Sequence, residues 1–374
     1  MKVININIDI LKELSMKMPD LAEKARKRKD LNKYDQWIQG KDYPTYNQLV
    51  ELSKIFHIPF GYFFLKKLPE RKYPIPHYRT IQNGDFKPSS ELLETILFAQ
   101  KIQEWAKEIL LEWGKEKLPF CGKYKDNYDI AAVIKELKEI FEVKNNWASN
   151  KSKWNDALNY LLNKAEEKGI FVIRNGIVGN NTHRKLSVEE FRGFVLYDEI
   201  APIVFINNND AISAKIFTLI HEIVHILIGQ SASFDLRNLQ SANNKIEQFC
   251  DKCTAEFLVP SEEIKNMYKQ KKDLEELAKY FKVSQVVILR RLLDTHLIKQ
   301  DEFSQKLKEL YSREIKQESG SGGNAFKIIP NRLSKRFLYI AHNAVKNNTI
   351  QFRDALRITN LKAKTFDQLL KQMI

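Results

Sequence analysis

The stretch Phe217-Thr-Leu-Ile-His-Glu-Ile-Val-His-Ile-Leu-Ile-Gly229 places an H-E-x-x-H motif, from His221 to His225, inside an apolar run. On a helix, residues i and i+4 lie about 40° apart around the axis and roughly 6 Å apart along it, so both imidazoles can face one metal ion. Glu222 follows the first histidine, where its carboxylate can reach a metal-bound water without ligating the metal. This arrangement is typical of zinc hydrolases, in which two histidines and a third residue hold the ion.

The apolar neighbours of the motif predict a buried helix, and buried histidines need partners. A core helix with two hydrogen-bonded histidines is therefore the alternative interpretation. Chance alone produces H-E-x-x-H in a chain of this composition on the order of one time in a hundred, which favours the metal site.

A second apolar helix is predicted over Ile246–Pro260, and it carries Glu247 and Asp251 four residues apart. Glu247 lies 22 positions beyond His225, which leaves room for a loop and a returning helix. As a third ligand it would leave the fourth position of a tetrahedral ion open, as catalytic zinc sites do. Asp251 is a candidate to accept a hydrogen bond from a ligand histidine and orient its ring. A carboxylate favoured by the helix dipole is the other interpretation of Glu247.

The bulk composition predicts a chain of two or three domains, since 374 residues that are 43% hydrophobic can bury several cores. No apolar run is long enough to span a membrane, and the N-terminus lacks a signal-peptide core. Three cysteines make no disulfide framework, so we expect a cytoplasmic protein. Cys250 and Cys253 are spaced as a metal or redox pair, but small core residues are the favoured interpretation because no second pair follows.

The net charge of +14 is concentrated at the N-terminal end, where residues 1–80 hold 16 Lys and Arg against 9 Asp and Glu. Such a unit suits phosphate backbones, which makes double-stranded DNA a candidate partner. A solvated helix face is the alternative, and it is favoured for a single basic run. The candidate DNA-binding residues are Arg26, Lys27, Arg28, Lys29 and Lys33.

Apolar periodicity predicts a mostly helical α+β protein with a short sheet before the metal helix. Within residues 1–68, helices over 9–16, 20–29 and 30–38 and a fourth from Pro44 form a helix-turn-helix bundle. A proline-rich junction and helical connector follow over 69–168, with helices at 90–118, 128–142 and 152–168. Residues 169–316 form the metal domain, with strands at 170–173, 191–197 and 202–206 and helices at 261–269, 272–281 and 284–294. A flexible linker over 317–329 precedes a helical unit over 330–374.

Two further features of the site are predicted, the second by residue type alone. The strand Pro202–Ile206 could pair with an extended substrate, as exposed sheet edges do. His183, Arg184 and Arg192 are candidates to stabilise an oxyanion or bind substrate. The alternative for Arg192 is a buried ion pair with Glu189 or Glu190.

Several motifs resemble those of one protein family. They are Trp37-x-x-Gly40-x-x-x-Pro44-Thr45-x-x-x-Leu49, Pro59–Leu65, Ile75–Thr80, Asn175–Thr182, Glu190–Phe194, Ala201–Asn207, Ile246–Pro260 and Arg353–Ala355. Together with H-E-x-x-H they resemble the ImmA/IrrE family of bacterial zinc peptidases, in the long form with an N-terminal repressor-type (XRE) helix-turn-helix.

The resemblance implies a zincin-like endopeptidase domain that cleaves a repressor-type transcription factor and so releases genes under stress or in a mobile element. It implies His221, His225 and Glu247 as Zn²⁺ ligands and Glu222 as the base. A DNA-binding regulator or antitoxin-like protein with a non-hydrolytic zinc domain is the second hypothesis, and an intact Glu222 favours the first. An interaction scaffold of a toxin–antitoxin or phage-defence locus is the third, and an N-terminal unit that binds protein instead of DNA stays open.

Overall fold

The chain divides into two compact units, Met1–Tyr73 and Pro74–Ile374. The computed structural model describes residues 2–56, 58–69, 88–234, 245–314 and 325–373. The predicted junction motif at 75–80 and the glycine- and serine-rich centre of the predicted linker, 317–323, lie outside these residues. Within the described ranges, no helix is both long enough and apolar enough to traverse a membrane.

The first unit is a small bundle around one apolar core. Its elements are α1 (Ile8–Lys17), α2 (Pro19–Arg26), α3 (Tyr34–Ile38), α4 (Tyr46–Phe56) and 3₁₀ turns at Lys29–Leu31 and Phe60–Phe64. Thr45 and Gln48 begin α4 with a reciprocal capping pair: the Gln48 side-chain oxygen accepts the Thr45 N–H at 2.8 Å, and the Thr45 hydroxyl accepts the Gln48 N–H at 3.4 Å. The helix-turn-helix assignment of this bundle stays a prediction.

The predicted helices over 20–29 and 30–38 are shorter than expected. The first ends at Arg26, and the second is split into the 3₁₀ turn and α3. Arg28 between them has an extended backbone, and its guanidinium binds Asp30 and Glu51. Much of the basic run therefore lies in an irregular turn instead of on a helix face.

The second unit is built on a four-stranded sheet with the order β1-β5-β4-β6. Its strands are β1 (Phe171–Asn175), β4 (Gly193–Leu196), β5 (Ile203–Asn207) and β6 (Ala232–Phe234). β1 and β5 are parallel, with Phe171 opposite Ile203, and β4 runs antiparallel to both β5 and β6. β2 (Ile177–Val178) and β3 (Asn181–Lys185) form a separate hairpin. The three predicted strands are confirmed, whereas β2, β3 and β6 are too short or too polar to show an apolar alternation.

One predicted feature of the sheet is wrong. β5, which covers most of the strand predicted over Pro202–Ile206, pairs with β1 on one side and β4 on the other, so it has no free edge for a substrate strand. The sheet buries both of its faces, and a central strand in such a sheet is apolar throughout. Its hydrophobicity reflects a central position and not an exposed edge.

Helices cover both faces of the sheet. One face packs on α7 (Trp154–Glu167) and α8 (Ile212–Leu227), with Val172, Val195 and Val204 pointing into that core. The other packs on α5 (Ser90–Glu112), with Phe171, Phe194 and Phe205 pointing into it. The remaining helices are α6 (Ile130–Phe141), α9 (Lys245–Leu258), α10 (Ser261–Gln270), α11 (Leu274–Phe281), α12 (Gln285–Asp294), α13 (Gln300–Glu314), α14 (Ala325–Leu333), α15 (Lys335–Lys346), α16 (Phe352–Thr359) and α17 (Ala363–Met373).

Two predicted helix boundaries are corrected. α5 ends at Glu112 and not at 118, because Gly114 adopts a left-handed conformation with φ +67° that terminates helices. α14 begins at Ala325, inside the predicted linker 317–329. Leu333 and Phe337 belong to the same core as the sheet residue Phe171, so the C-terminal helices share that core.

Candidate metal centre

The H-E-x-x-H motif lies in the last two turns of α8, a helix buried next to the sheet. All side chains from Lys215 to Leu227 are buried, as expected for a helix that is apolar around most of its circumference. α8 packs against β4 and β5 on one side and against α7 and α9 on others. His221 and His225 are therefore held in a fixed environment without access to bulk solvent.

Three side chains converge at one point between α8 and α9. His221 Nε2 lies 3.1 Å from Glu247 Oε2 and 3.1 Å from His225 Nε2. His225 Nε2 lies 3.5 Å from the same Glu247 oxygen. Among the described residues, these three form the group that could hold a metal ion.

The spacing of the three atoms fits a tetrahedral metal ion. Zinc bonds of 2.0–2.1 Å at tetrahedral angles separate neighbouring ligand atoms by roughly 3.3–3.4 Å. The three observed distances of 3.1, 3.1 and 3.5 Å lie on either side of that value. Two imidazole nitrogens and one carboxylate oxygen are also a donor set that hydrolytic zinc sites use.

Electrostatics favour a positive charge at this point. Burial alone would lower the pKa of His221, but hydrogen bonds and charges from Asp251 and Glu247 outweigh burial and raise the pKa to about 10. Burial would raise the pKa of Glu247, but His225 and His221 outweigh it and lower that pKa. The site thus stabilises a cation between these side chains, whether it is a proton or a metal ion.

The side chain predicted to orient a ligand lies where that role requires. Asp251 Oδ1 lies 3.1 Å from His221 Nδ1, the ring nitrogen that faces away from the cluster. A carboxylate at this distance favours a proton on Nδ1, which would leave Nε2 free to bind a metal.

Glu222 is fully buried beside the cluster, and neither of its carboxylate oxygens has a hydrogen-bond partner among the described residues. Burial raises the pKa of Glu222 well above its usual value, and His221 only partly opposes this. Buried carboxyl groups are rarely left without partners, so this position is suited to bind a water or substrate group.

The sheet approaches the Glu222 side chain very closely at Gly193. A Cβ atom added at Gly193 would lie 2.4 Å from Thr218 Cγ2, 2.8 Å from the Phe205 carbonyl oxygen and 3.4 Å from Glu222 Oε1. Only glycine fits between β5 and α8 at this point, and sequence reasoning did not identify its role.

Cys250 is a second residue whose position sequence reasoning missed. Its Sγ lies 3.7 Å from His225 Nδ1, and both residues are buried. Burial raises the pKa of the Cys250 thiol, so the sulfur stays protonated. Cys253 is a buried core residue, as predicted. Only the spacing of Cys250, three residues after Glu247, could have signalled that it faces the site.

The structure places the three oxyanion candidates elsewhere. His183 is exposed on β3, and Arg184 binds Glu91 and Glu94 of α5, on the opposite face of the sheet from α8. Arg192 forms an ion pair with Asp210, 2.8 Å from each carboxylate oxygen. That pair lies at the N-terminal end of α8, which begins at Ile212. The predicted partners of Arg192, Glu189 and Glu190, are wrong.

The candidate DNA-binding residues of the first unit are largely paired with carboxylates. Lys29 is exposed. The other four have these partners: Arg26 binds Asp35, Lys27 binds Glu23, Arg28 binds Asp30 and Glu51, and Lys33 binds Asp42. These pairs offset much of the positive charge that DNA binding would use.

Duplex DNA binding by the first unit stays a proposal with a defined test. If it occurs, we expect affinity that falls steeply with salt, because phosphate contacts release counterions. Replacing Arg26, Lys27, Arg28 and Lys29 by glutamine should flatten this dependence in a fluorescence-anisotropy titration. The control loses the same charge: Lys265, Lys269, Lys271 and Lys272 of the second unit are replaced by glutamine. Absence of wild-type binding at low salt would assign the unit to protein interaction instead.

Comparison with known proteins gives one family. Residues 165–293 match the Peptidase_M78 family, described as the IrrE N-terminal-like domain. The matched segment runs from α7 to α12 and contains the whole sheet, the H-E-x-x-H helix and Glu247. It supports a metallopeptidase-like role and the predicted relationship to the ImmA/IrrE family. No curated protein and no solved structure matches the chain significantly.

Proposed function

We propose that this protein is a zinc-dependent endopeptidase that cleaves a repressor-type transcription factor. One observation carries the proposal: three candidate ligand atoms lie 3.1–3.5 Å apart, at tetrahedral spacing, beside the buried Glu222 side chain, whose oxygens have no hydrogen-bond partner among the described residues. A purely structural zinc site closes its fourth position with another protein ligand and needs no base next to it.

Each residue has a distinct part in this proposal. His221, His225 and Glu247 would hold the ion through Nε2, Nε2 and a carboxylate oxygen, and Asp251 would orient His221. Zinc at this site would supply Lewis-acid chemistry and would lower the pKa of a bound water to near neutral. Glu222 would take a proton from the attacking water and deliver it to the leaving amine.

The substrate backbone needs a strand edge, and β6 is the candidate next to the metal helix. Among the described strands it pairs with β4 only, and it contacts α8. An extended peptide can add to such an edge through main-chain hydrogen bonds. β6 can therefore take the role that β5, a central strand, cannot.

The choice of substrate rests on the resemblance to the ImmA/IrrE family. The test incubates the purified protein and zinc with a helix-turn-helix repressor encoded beside it. We expect discrete fragments by mass spectrometry, their loss on adding a zinc chelator, and their return with excess zinc. Cleavage that persists in the chelator would contradict metal-dependent hydrolysis. If the repressor stays intact under all conditions, the alternative is favoured: a DNA-binding regulator or antitoxin-like protein whose zinc domain does not hydrolyse peptides.

A further inference from the structure

Side chains on one face of α9 contact both histidines of the candidate metal site on α8. Glu247, Cys250 and Asp251 are spaced i, i+3 and i+4, which places them on the same side of a helix. Glu247 Oε2 faces both Nε2 atoms, Asp251 Oδ1 lies 3.1 Å from His221 Nδ1, and Cys250 Sγ lies 3.7 Å from His225 Nδ1. α9 therefore supplies one ligand and one contact to the outward nitrogen of each histidine.

The position of His225 determines which nitrogen must carry its proton. Nε2 points to the cluster, 3.1 Å from His221 Nε2, so it must be unprotonated to bind a metal. A neutral imidazole then carries its proton on Nδ1, which becomes a donor. The sulfur of Cys250 lies 3.7 Å from Nδ1, within range to accept this buried N–H.

We propose that Cys250 is a positioning residue that accepts a hydrogen bond from His225 Nδ1 and so fixes the tautomer and ring orientation of this ligand. The proposal rests on the metal site of the proposed function. A thiol is a weaker acceptor than a carboxylate such as Asp251, so we expect its effect on metal affinity to be modest.

The chain provides a matched control for this role. Cys253 is also fully buried, lies on the same helix and belongs to the same core, but no contact with a ligand histidine is found for it among the described residues. Cys250→Ala and Cys253→Ala remove the same atom from the same core. Cys250→Ser and Cys250→Ala differ in one hydroxyl group, which can replace sulfur as the acceptor.

The experiment measures zinc affinity by competition with a chromogenic chelator. Partners of ligand histidines typically contribute 10- to 100-fold to metal affinity, and a thiol should lie at the lower end. We expect Cys250→Ala to weaken zinc binding about tenfold. Cys250→Ser should retain most of the affinity, and Cys253→Ala should match the wild type. Equal affinities for the two alanine variants, or no rescue by serine, would overturn the proposal.

A second measurement reports the tautomer directly. Long-range ¹H–¹⁵N NMR of the histidine rings should show the proton on Nδ1 of His225 in the wild type and in Cys250→Ser, and a mixture of tautomers in Cys250→Ala. If the wild type binds zinc and these differences appear, yet no repressor is cleaved, only the proposed function fails. If zinc binds and the Cys250 variants behave like the wild type, only this inference fails. A wild type that binds no zinc overturns both.

Discussion

Replacing Glu222 by glutamine is expected to reduce repressor cleavage by at least about 10²–10⁴-fold, the range that general-base catalysis contributes. Glutamine keeps the shape and polarity of the side chain but cannot accept a proton. The two oxygens of Glu222 have no protein partner among the described residues, so the change breaks no hydrogen bond there. It also removes a buried carboxyl group whose charged form burial disfavours. Metal content and melting temperature should therefore not fall.

The measurement compares initial cleavage rates of wild type and Glu222→Gln at equal zinc occupancy. Glu199→Gln is the control, because Glu199 lies at the protein surface in an ion pair with Lys117. A Glu222→Gln protein that cleaves at the wild-type rate would show that Glu222 is not the base. The regulator with a non-hydrolytic zinc domain would then become the better hypothesis.

Loss of a ligand is expected to have the second large effect. The wild type should bind about one zinc ion per chain, and His221→Ala or Glu247→Ala should leave little metal after dialysis, because each change removes one of three protein ligands. Elemental analysis of the dialysed proteins gives the metal-to-protein ratio. His183→Ala is the matched control, since His183 is exposed on β3. Full occupancy in both ligand variants would refute the assignment of the site.

Local patterns predicted the elements that carry the chemistry. Spacing in H-E-x-x-H requires His221 and His225 to share a helix face, and the apolar residues around them require that helix to be buried. The same spacing logic placed Glu247 and Asp251 together on the next helix, and the structure brings both to the histidines. Helix geometry is set by neighbouring residues, so a single sequence carries this information.

Longer-range contacts could not be predicted in the same way. The apolar strand at 203–207 is compatible with an edge or a central position, and only its pairing with both β1 and β4 decides between them. Glu189 and Glu190 are the carboxylates nearest to Arg192 in the chain, but the fold instead brings Asp210 to it from 18 residues away. Cys250 resembles any small core residue until α9 is packed against α8.

The sequence by itself determined that two histidines and a glutamate lie on one buried helix and that a second helix carries a carboxylate to complete the set. These features follow from helical periodicity and hydrophobic burial, which act over a few residues. Only the tertiary structure decided that the three ligand atoms lie 3.1–3.5 Å apart, that Gly193 lets the sheet approach Glu222, and that Cys250 faces His225. Those distances depend on how α8, α9 and the sheet pack, and packing is set by side chains far apart in the chain.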